Sequence, residues 1–155
     1  LQAKKEKEMI LGFKRKFPWG EPTLFKEKIN YCIDKINILD RALFPKLHSI
    51  RKGNRWKPGM LIHLAYGQRT KQYECFQLAT VKTVQAIRIY TDIKQIWTAR
   101  VGVGDSYIYD FNRLTEDQVE MLAINDGFDS VDLFWKFFDC DIDGQIISWA
   151  GKIYL

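Results

Sequence analysis

The sequence predicts an α+β protein in which short strands give a barrel-like hydrophobic pattern and amphipathic helices are interposed between them. Three observations lead there. Short apolar runs separated by turn residues recur from Met9 to Trp149. Two regions, from Pro22 to Ile36 and from Thr115 to Phe138, instead place their apolar residues near helical spacing. Between them lies Pro45 to Gly67, PKLHSIRKGNRWKPGMLIHLAYG, around which the rest of the chain is arranged. It packs Lys46, Arg51, Lys52, Arg55 and Lys57, with His48 as a potential sixth cation, into what otherwise reads as two short strands.

Taken in order, Met9 to Phe13 is a short apolar strand, followed by a basic cluster of Lys14, Arg15 and Lys16 beside Phe17-Pro18-Trp19. That cluster has the makings of an electrostatic contact with an aromatic platform; a solvated strand end with Trp19 packed on the barrel is the simpler reading. Pro22 suits a first helical position, and Leu24, Phe25, Ile29, Cys32, Ile33 and Ile36 give the helix after it one apolar face. Residues 37–44 carry no strong period. Leu47 to Arg51 alternates as a strand does, Lys52 to Gly59 holds turn formers, and Met60 to Tyr66 is nearly all apolar, which predicts burial on both faces.

Gly67 to Lys71 is a polar, basic turn. Tyr73 to Tyr90 is too long for one flat strand, so a bulge or bend is expected within it. Residues 93–103 and 106–111 read as a hairpin across Gly104-Asp105, and Tyr107 breaks any dinucleotide-binding pattern around Gly102 and Gly104. Thr115 with Gln118 forms a capping box for a helix buried through Val119, Leu122 and Ala123, which Asn125-Asp126-Gly127 stops. Asp129 or Ser130 caps a second helix covering the core through Val131, Phe134, Trp135 and Phe138, and Gly144 marks the turn into a last strand, Gln145 to Trp149.

Lys46-x-x-Ser49-x-Arg51, then Arg55-Trp56-Lys57-Pro58-Gly59 and a strand, then Asp126-Gly127-Phe128-x-Ser130 ahead of a Phe- and Trp-rich helix and a strand ending Ile147-Ser148-Trp149, resemble the ASCH domain family of the PUA-like superfamily. The resemblance runs from about Met9 onward. It implies a small twisted PUA-like β-barrel with flanking helices and a cleft used for RNA or modified nucleosides. One branch of the family, amidohydrolases of N4-acetylcytidine, implies catalytic roles for a lysine, a threonine and a glutamate with an arginine nearby. Lys46 matches the lysine, Ser49 stands for the threonine, Asp126 falls at or near the glutamate, and Arg51 matches the arginine.

With 155 residues the chain has a comfortable single-domain length. We expect one domain from 9 to 155, with residues 1–8, LQAKKEKE, as a disordered flank or expression remnant and Met9 as a natural start. No apolar run approaches the roughly 18 residues of a membrane span, and the charged N-terminal residues do not read as a secretion signal. Cys32, Cys75 and Cys140 are unpaired in spacing, which argues against a zinc site or a disulfide framework and for a reduced, cytoplasmic setting. His48 and His63 share no metal-ligand spacing with other residues, and neither metal nor cofactor is expected. The net charge of +5 favours an acidic partner.

Two functions follow from these residues. A binding module would hold RNA or a modified nucleotide beside Lys46, Ser49 and Arg51, with Arg55, Lys57, Arg69 and Lys71 steering phosphates and Trp56 as the best stacking surface. A hydrolase would use Lys46 to take the Ser49 proton, with Asp126 beside them and Arg51 on the oxyanion; a nuclease is a variant of this. Catalysis asks more, because Lys46 and Ser49 point to opposite faces of a flat strand and share a pocket only if the chain bends between them. Binding is the simpler expectation, and the oligomeric state is left open.

Overall fold

A computed structural model describes residues 8–39, 42–99 and 110–155. Among them are eight strands and three helices in the order β1 (Glu8–Phe13), α1 (Phe25–Asp34), β2 (His48–Lys52), β3 (Leu61–Tyr66), β4 (Glu74–Thr80), β5 (Thr83–Tyr90), β6 (Gln95–Ala99), β7 (Phe111–Arg113), α2 (Glu116–Asn125), α3 (Val131–Phe137) and β8 (Ile142–Ser148). The α+β class therefore holds. The strands form two sheets, ordered β1-β3-β4 and β2-β8-β5-β6-β7.

The small twisted barrel that was expected does not close among the described residues: β4 and β7 are unpaired edges, and so are β1 and β2. No ladder joins β1 to β2; the Arg51 guanidinium of β2 instead donates to the Gly12 carbonyl of β1 at 2.7 Å. Both strands line the cleft described below, which opens at this seam.

Within the first sheet β1 runs parallel to β3, with Ile10 opposite His63. A parallel pair needs a crossover, and here the chain between the two strands supplies α1 and β2. The long Tyr73 to Tyr90 segment resolves both ways. The ladder between β3 and β4 shifts register so that Phe76 has no opposite residue, and the chain bends at Val81-Lys82 to enter the second sheet as β5. There β8 is the spine, pairing with β2 on one side and β5 on the other. Ile62 and Leu64 from the first sheet, Ile87, Ile89 and Ile146 from the second, and Ile29, Leu122 and Phe134 from the helices join one buried cluster. Burying such side chains stabilises by about 1.5–3 kcal/mol each.

Several expectations change in detail. Glu8 pairs with Leu61, so the first strand starts one residue before Met9. Pro22 does not open a helix: it bridges to Lys16, and α1 begins at Phe25 after Leu24 in a left-handed conformation. Ile36 lies beyond the helix and is exposed. Gly144 is no turn but sits inside β8 opposite Lys52, where a Cβ would collide with the Arg51 carbonyl. Residues 95–99 and 111–113 do pair as antiparallel strands, whereas Gly102, Gly104-Asp105 and Tyr107 lie outside the described residues. The capping box at Thr115 and Gln118 forms, and Ser130 caps α3.

Candidate functional site

Lys46 and Ser49 reach the same cleft because Lys46 precedes the strand. Its backbone N–H donates to Lys28 of α1 at 3.1 Å, and that of Leu47 to Asn125 of α2 at 2.8 Å. The Trp149 indole holds the Lys46 carbonyl from the other side at 3.0 Å. Only from His48 does the chain take up the β ladder. The bend required by the alternation of side chains is thus present.

Asp126 is delivered by a helix ending. It is the C-cap of α2; the Gly127 N–H returns to the Ile124 carbonyl at 3.0 Å and that of Phe128 to Ala123 at 3.1 Å. This is the Schellman pattern, and it needs the left-handed φ of +99° that Gly127 adopts. Lys28, 3% exposed, fastens the same turn to α1 by donating to the Gly127 carbonyl at 2.7 Å and to Asp129 at 2.9 Å.

The buried polar groups meet at Asp126. Lys46 Nζ donates to its backbone carbonyl and lies 3.5 Å from Oδ1, the former being the principal contact. Lys46 is 2% exposed and also lies over the Phe25 ring at 4.6 Å. Burial lowers its pKa to about 8, outweighing the upward pull of Asp126. His48 is fully buried; its Nδ1 lies 3.0 Å from Asp126 Oδ1 and its Nε2 2.6 Å from the Tyr154 hydroxyl, which also accepts from Asn125 at 3.0 Å. Burial pushes the His48 pKa down and that of Tyr154 up, so both are neutral around neutral pH. The hydroxyl of Ser49 accepts from Arg51 Nε at 3.3 Å, and among the described residues no hydrogen bond joins Ser49 to Lys46.

Above this network lies a cleft of about 1090 Å³. Lys46, Ser49, Arg51 and Asp126 lie at its base, while Arg55 and Arg69 line it as exposed side chains. Lys14, Arg15 and Lys16 line it too, as exposed side chains at the end of β1, and Trp19 packs against the core as the simpler reading expected. Trp19 is not in the lining; it stacks on Phe17 at 4.8 Å. Phe13, Phe17, Phe25, Phe128, Phe137 and Phe138 also line it; Phe137 is exposed, and the others belong to the buried core. Trp56, Lys57 and Lys71 do not line this cleft. Trp56 is 2% exposed and hydrogen-bonded through its backbone to Gln145, with Arg55 over its ring, so its faces are covered. Lys57 and Lys71 are exposed.

Sequence reasoning had His48 as a potential sixth cation, whereas it is buried and neutral, and it missed Tyr154, Lys28 and the phenylalanines as parts of the site. Spacing gives no sign of His48 meeting Tyr154 across 106 positions; a lysine three residues into an amphipathic helix likewise looks solvated until its carbonyl partner is seen. Chemically, the base of the cleft offers donors from Lys46 and Arg51, a hydroxyl, and the Asp126 Oδ2, which takes no hydrogen bond among the described residues while Oδ1 takes those of His48 and Lys46. No group of His, Cys, Asp and Glu among the described residues is arranged to hold a metal ion. No protein-family model matches the chain, and no curated protein or solved structure does so either.

Proposed function

We propose that this protein is a PUA-like, ASCH-type module that holds RNA or a modified nucleotide in the cleft between β1 and β2. The cleft composition carries the reading. Seven cationic side chains, Lys14, Arg15, Lys16, Lys46, Arg51, Arg55 and Arg69, line it against the single carboxylate of Asp126, and the exposed ring of Phe137 stands beside them. Phosphates favour such a basic rim, and a base favours an exposed ring such as Phe137 on which to stack. At the floor, Lys46, Ser49 and Arg51 supply donors and Asp126 an acceptor, enough to read the polar edge of one base.

The test is fluorescence anisotropy of a labelled single-stranded RNA with increasing salt. Retention that weakens steeply with salt, and that falls in a Lys14→Gln, Arg69→Gln double variant, is the expected result. No retention at low salt would sink the reading.

One observation favours hydrolysis of an acylated nucleoside as a second reading. Lys46, lowered to about 8, is close to the range of a working base and shares its cleft with the Ser49 hydroxyl. For this chemistry Lys46 has to turn from Asp126 toward Ser49. Incubation with N4-acetylcytidine decides it: turnover abolished by Lys46→Ala supports catalysis, and absence of turnover leaves binding.

A further inference from the structure

Beneath the cleft, one chain of hydrogen bonds leads away from the ligand side to the residues that follow β8. Asp126 is an acceptor when ionised, so His48 Nδ1 carries the proton and donates to Oδ1 across 3.0 Å. Nε2 is then an acceptor, and it takes the Tyr154 hydroxyl proton across 2.6 Å. Asn125 donates to the oxygen of the same hydroxyl. His48, the Tyr154 hydroxyl and Oδ1 of Asp126 are all partnered, and a satisfied buried network fixes one arrangement of its groups.

Residues 149–155 have no regular secondary structure and are held by side chains of the second sheet and α2. Both amide atoms of Gln85 bond the Tyr154 backbone, which Thr98 also reaches at 3.4 Å. Thr83 donates to the Lys152 carbonyl at 3.2 Å, and Gln118 to that of Leu155 at 2.9 Å. The same segment touches Lys46 twice: Trp149 holds its carbonyl directly, and Tyr154 reaches its amine through His48 and Asp126.

We infer that His48 and Tyr154 are positioning residues for the cleft floor, so that docking of the segment 149–155 fixes the Asp126 carboxylate and, through it, Lys46. The arrangement accounts for a feature that packing alone does not. Filling this space with apolar side chains would cost less than burying an imidazole, a phenol and a carboxylate together. It also leaves Oδ2 of Asp126 turned to no partner among the described residues, with Oδ1 engaged by His48 and Lys46. Undocking Tyr154 leaves Nε2 of His48 without its donor, and a shift of the imidazole proton to Nε2 would set a lone pair against the Asp126 carboxylate. Regulation of the site by this segment rests on the binding reading; the positioning itself does not.

The test follows the Lys46 side chain by NMR in protein labelled with 13C-lysine, with its Cε resonance assigned by Lys46→Arg. The charged groups facing its amine are Asp126 after α2, Arg51 of β2 and Lys28 of α1. In the wild type the resonance is expected to titrate near pH 8. In Tyr154→Phe the midpoint is expected to fall by about one pH unit, a tenfold change in the protonation equilibrium, because burial persists while the Asp126 carboxylate, no longer fixed through His48, pulls on the amine less. Gln85→Leu, which releases the segment without touching His48, is expected to do the same, and provides the answer if Tyr154→Phe does not fold. The exposed Lys57 serves as the internal reference and should not move. An unchanged or raised Lys46 midpoint in the folded variants overturns the inference, since a merely structural Tyr154 lowers the melting temperature alone. Retention of the single-stranded RNA by the wild type is scored separately: its absence removes the binding reading and leaves the Lys46 titration to decide the positioning.

Discussion

His48 is fully out of water, and burial holds its pKa below the usual 6.5 even though Asp126 pulls the other way. The sign of the consequence is fixed. As pH falls past 6.5 the unfolded imidazole takes up a proton that the folded one resists, so the folded state loses stability from there down to the folded pKa. Urea midpoints should therefore decline between about pH 7.5 and pH 5.5, and His48→Gln should flatten that decline. An equal decline in the variant would place the acid sensitivity elsewhere. Lys46 obeys the same sign at higher pH: with its pKa lowered from 10.5 to about 8, stability rises with pH across that interval, and Lys46→Met should remove the rise. Among single residues, Lys46, Arg51 and Arg55 were legible because basic side chains crowd one short stretch, and Arg69 as part of a basic turn, whereas Ser49 and Asp126 were singled out only through the family resemblance. The buried roles of His48 and Tyr154 were not legible, since they come from contacts 78 and 106 residues apart in sequence.

At the scale of elements, α2 matters as the arm that presents Asp126. Its start is secured by the Thr115 capping box and its end by the Gly127 turn. Thr115→Ala should cost about 1 kcal/mol, or roughly 2–4 °C in melting temperature, and leave RNA retention unchanged because the cap lies at the far end of the helix. Gly127→Ala should behave differently. Its φ of +99° strains any L side chain, and a Cβ there would meet Phe25 at 2.8 Å and Lys46 at 3.0 Å. We expect a loss of about 1–3 kcal/mol together with weakened retention, read by thermal unfolding and anisotropy on the same sample. Helix termini of this kind were readable in the sequence, as capping boxes and Asn-Asp-Gly stops are local. The false helix start at Pro22 and the false turn at Gly144 arose where tertiary contacts override local preference: Pro22 is claimed by a bridge to Lys16, and Gly144 by the close approach of β2.

At the scale of the molecule, the sheets explain why the cleft lies where it does. The ladder is interrupted between β1 and β2, and the basic side chains gather around that seam from three distant parts of the chain: residues 14–16, 46–55 and 69. No local pattern could have revealed that gathering, although each basic cluster was visible by itself; the parallel pairing of β1 with β3 is what carries residues 14–16 to the same edge as Gly67 to Gln72. Arg15 illustrates the join, donating to the Gln72 carbonyl at 3.1 Å and lying over the Tyr66 ring at 4.8 Å. A net charge of +5 spread evenly would attract any polyanion weakly, whereas charge gathered at one seam engages a defined number of phosphates. For single-stranded nucleic acid each phosphate neutralised contributes about 0.7 to the slope of log affinity against log salt. Lys14→Gln and Arg69→Gln should therefore each reduce that slope by up to about 0.7, whereas Lys57→Gln and Lys71→Gln, outside the cleft, should leave it unchanged. Equal losses from all four variants would mean that the whole basic surface, and not the seam, holds the strand.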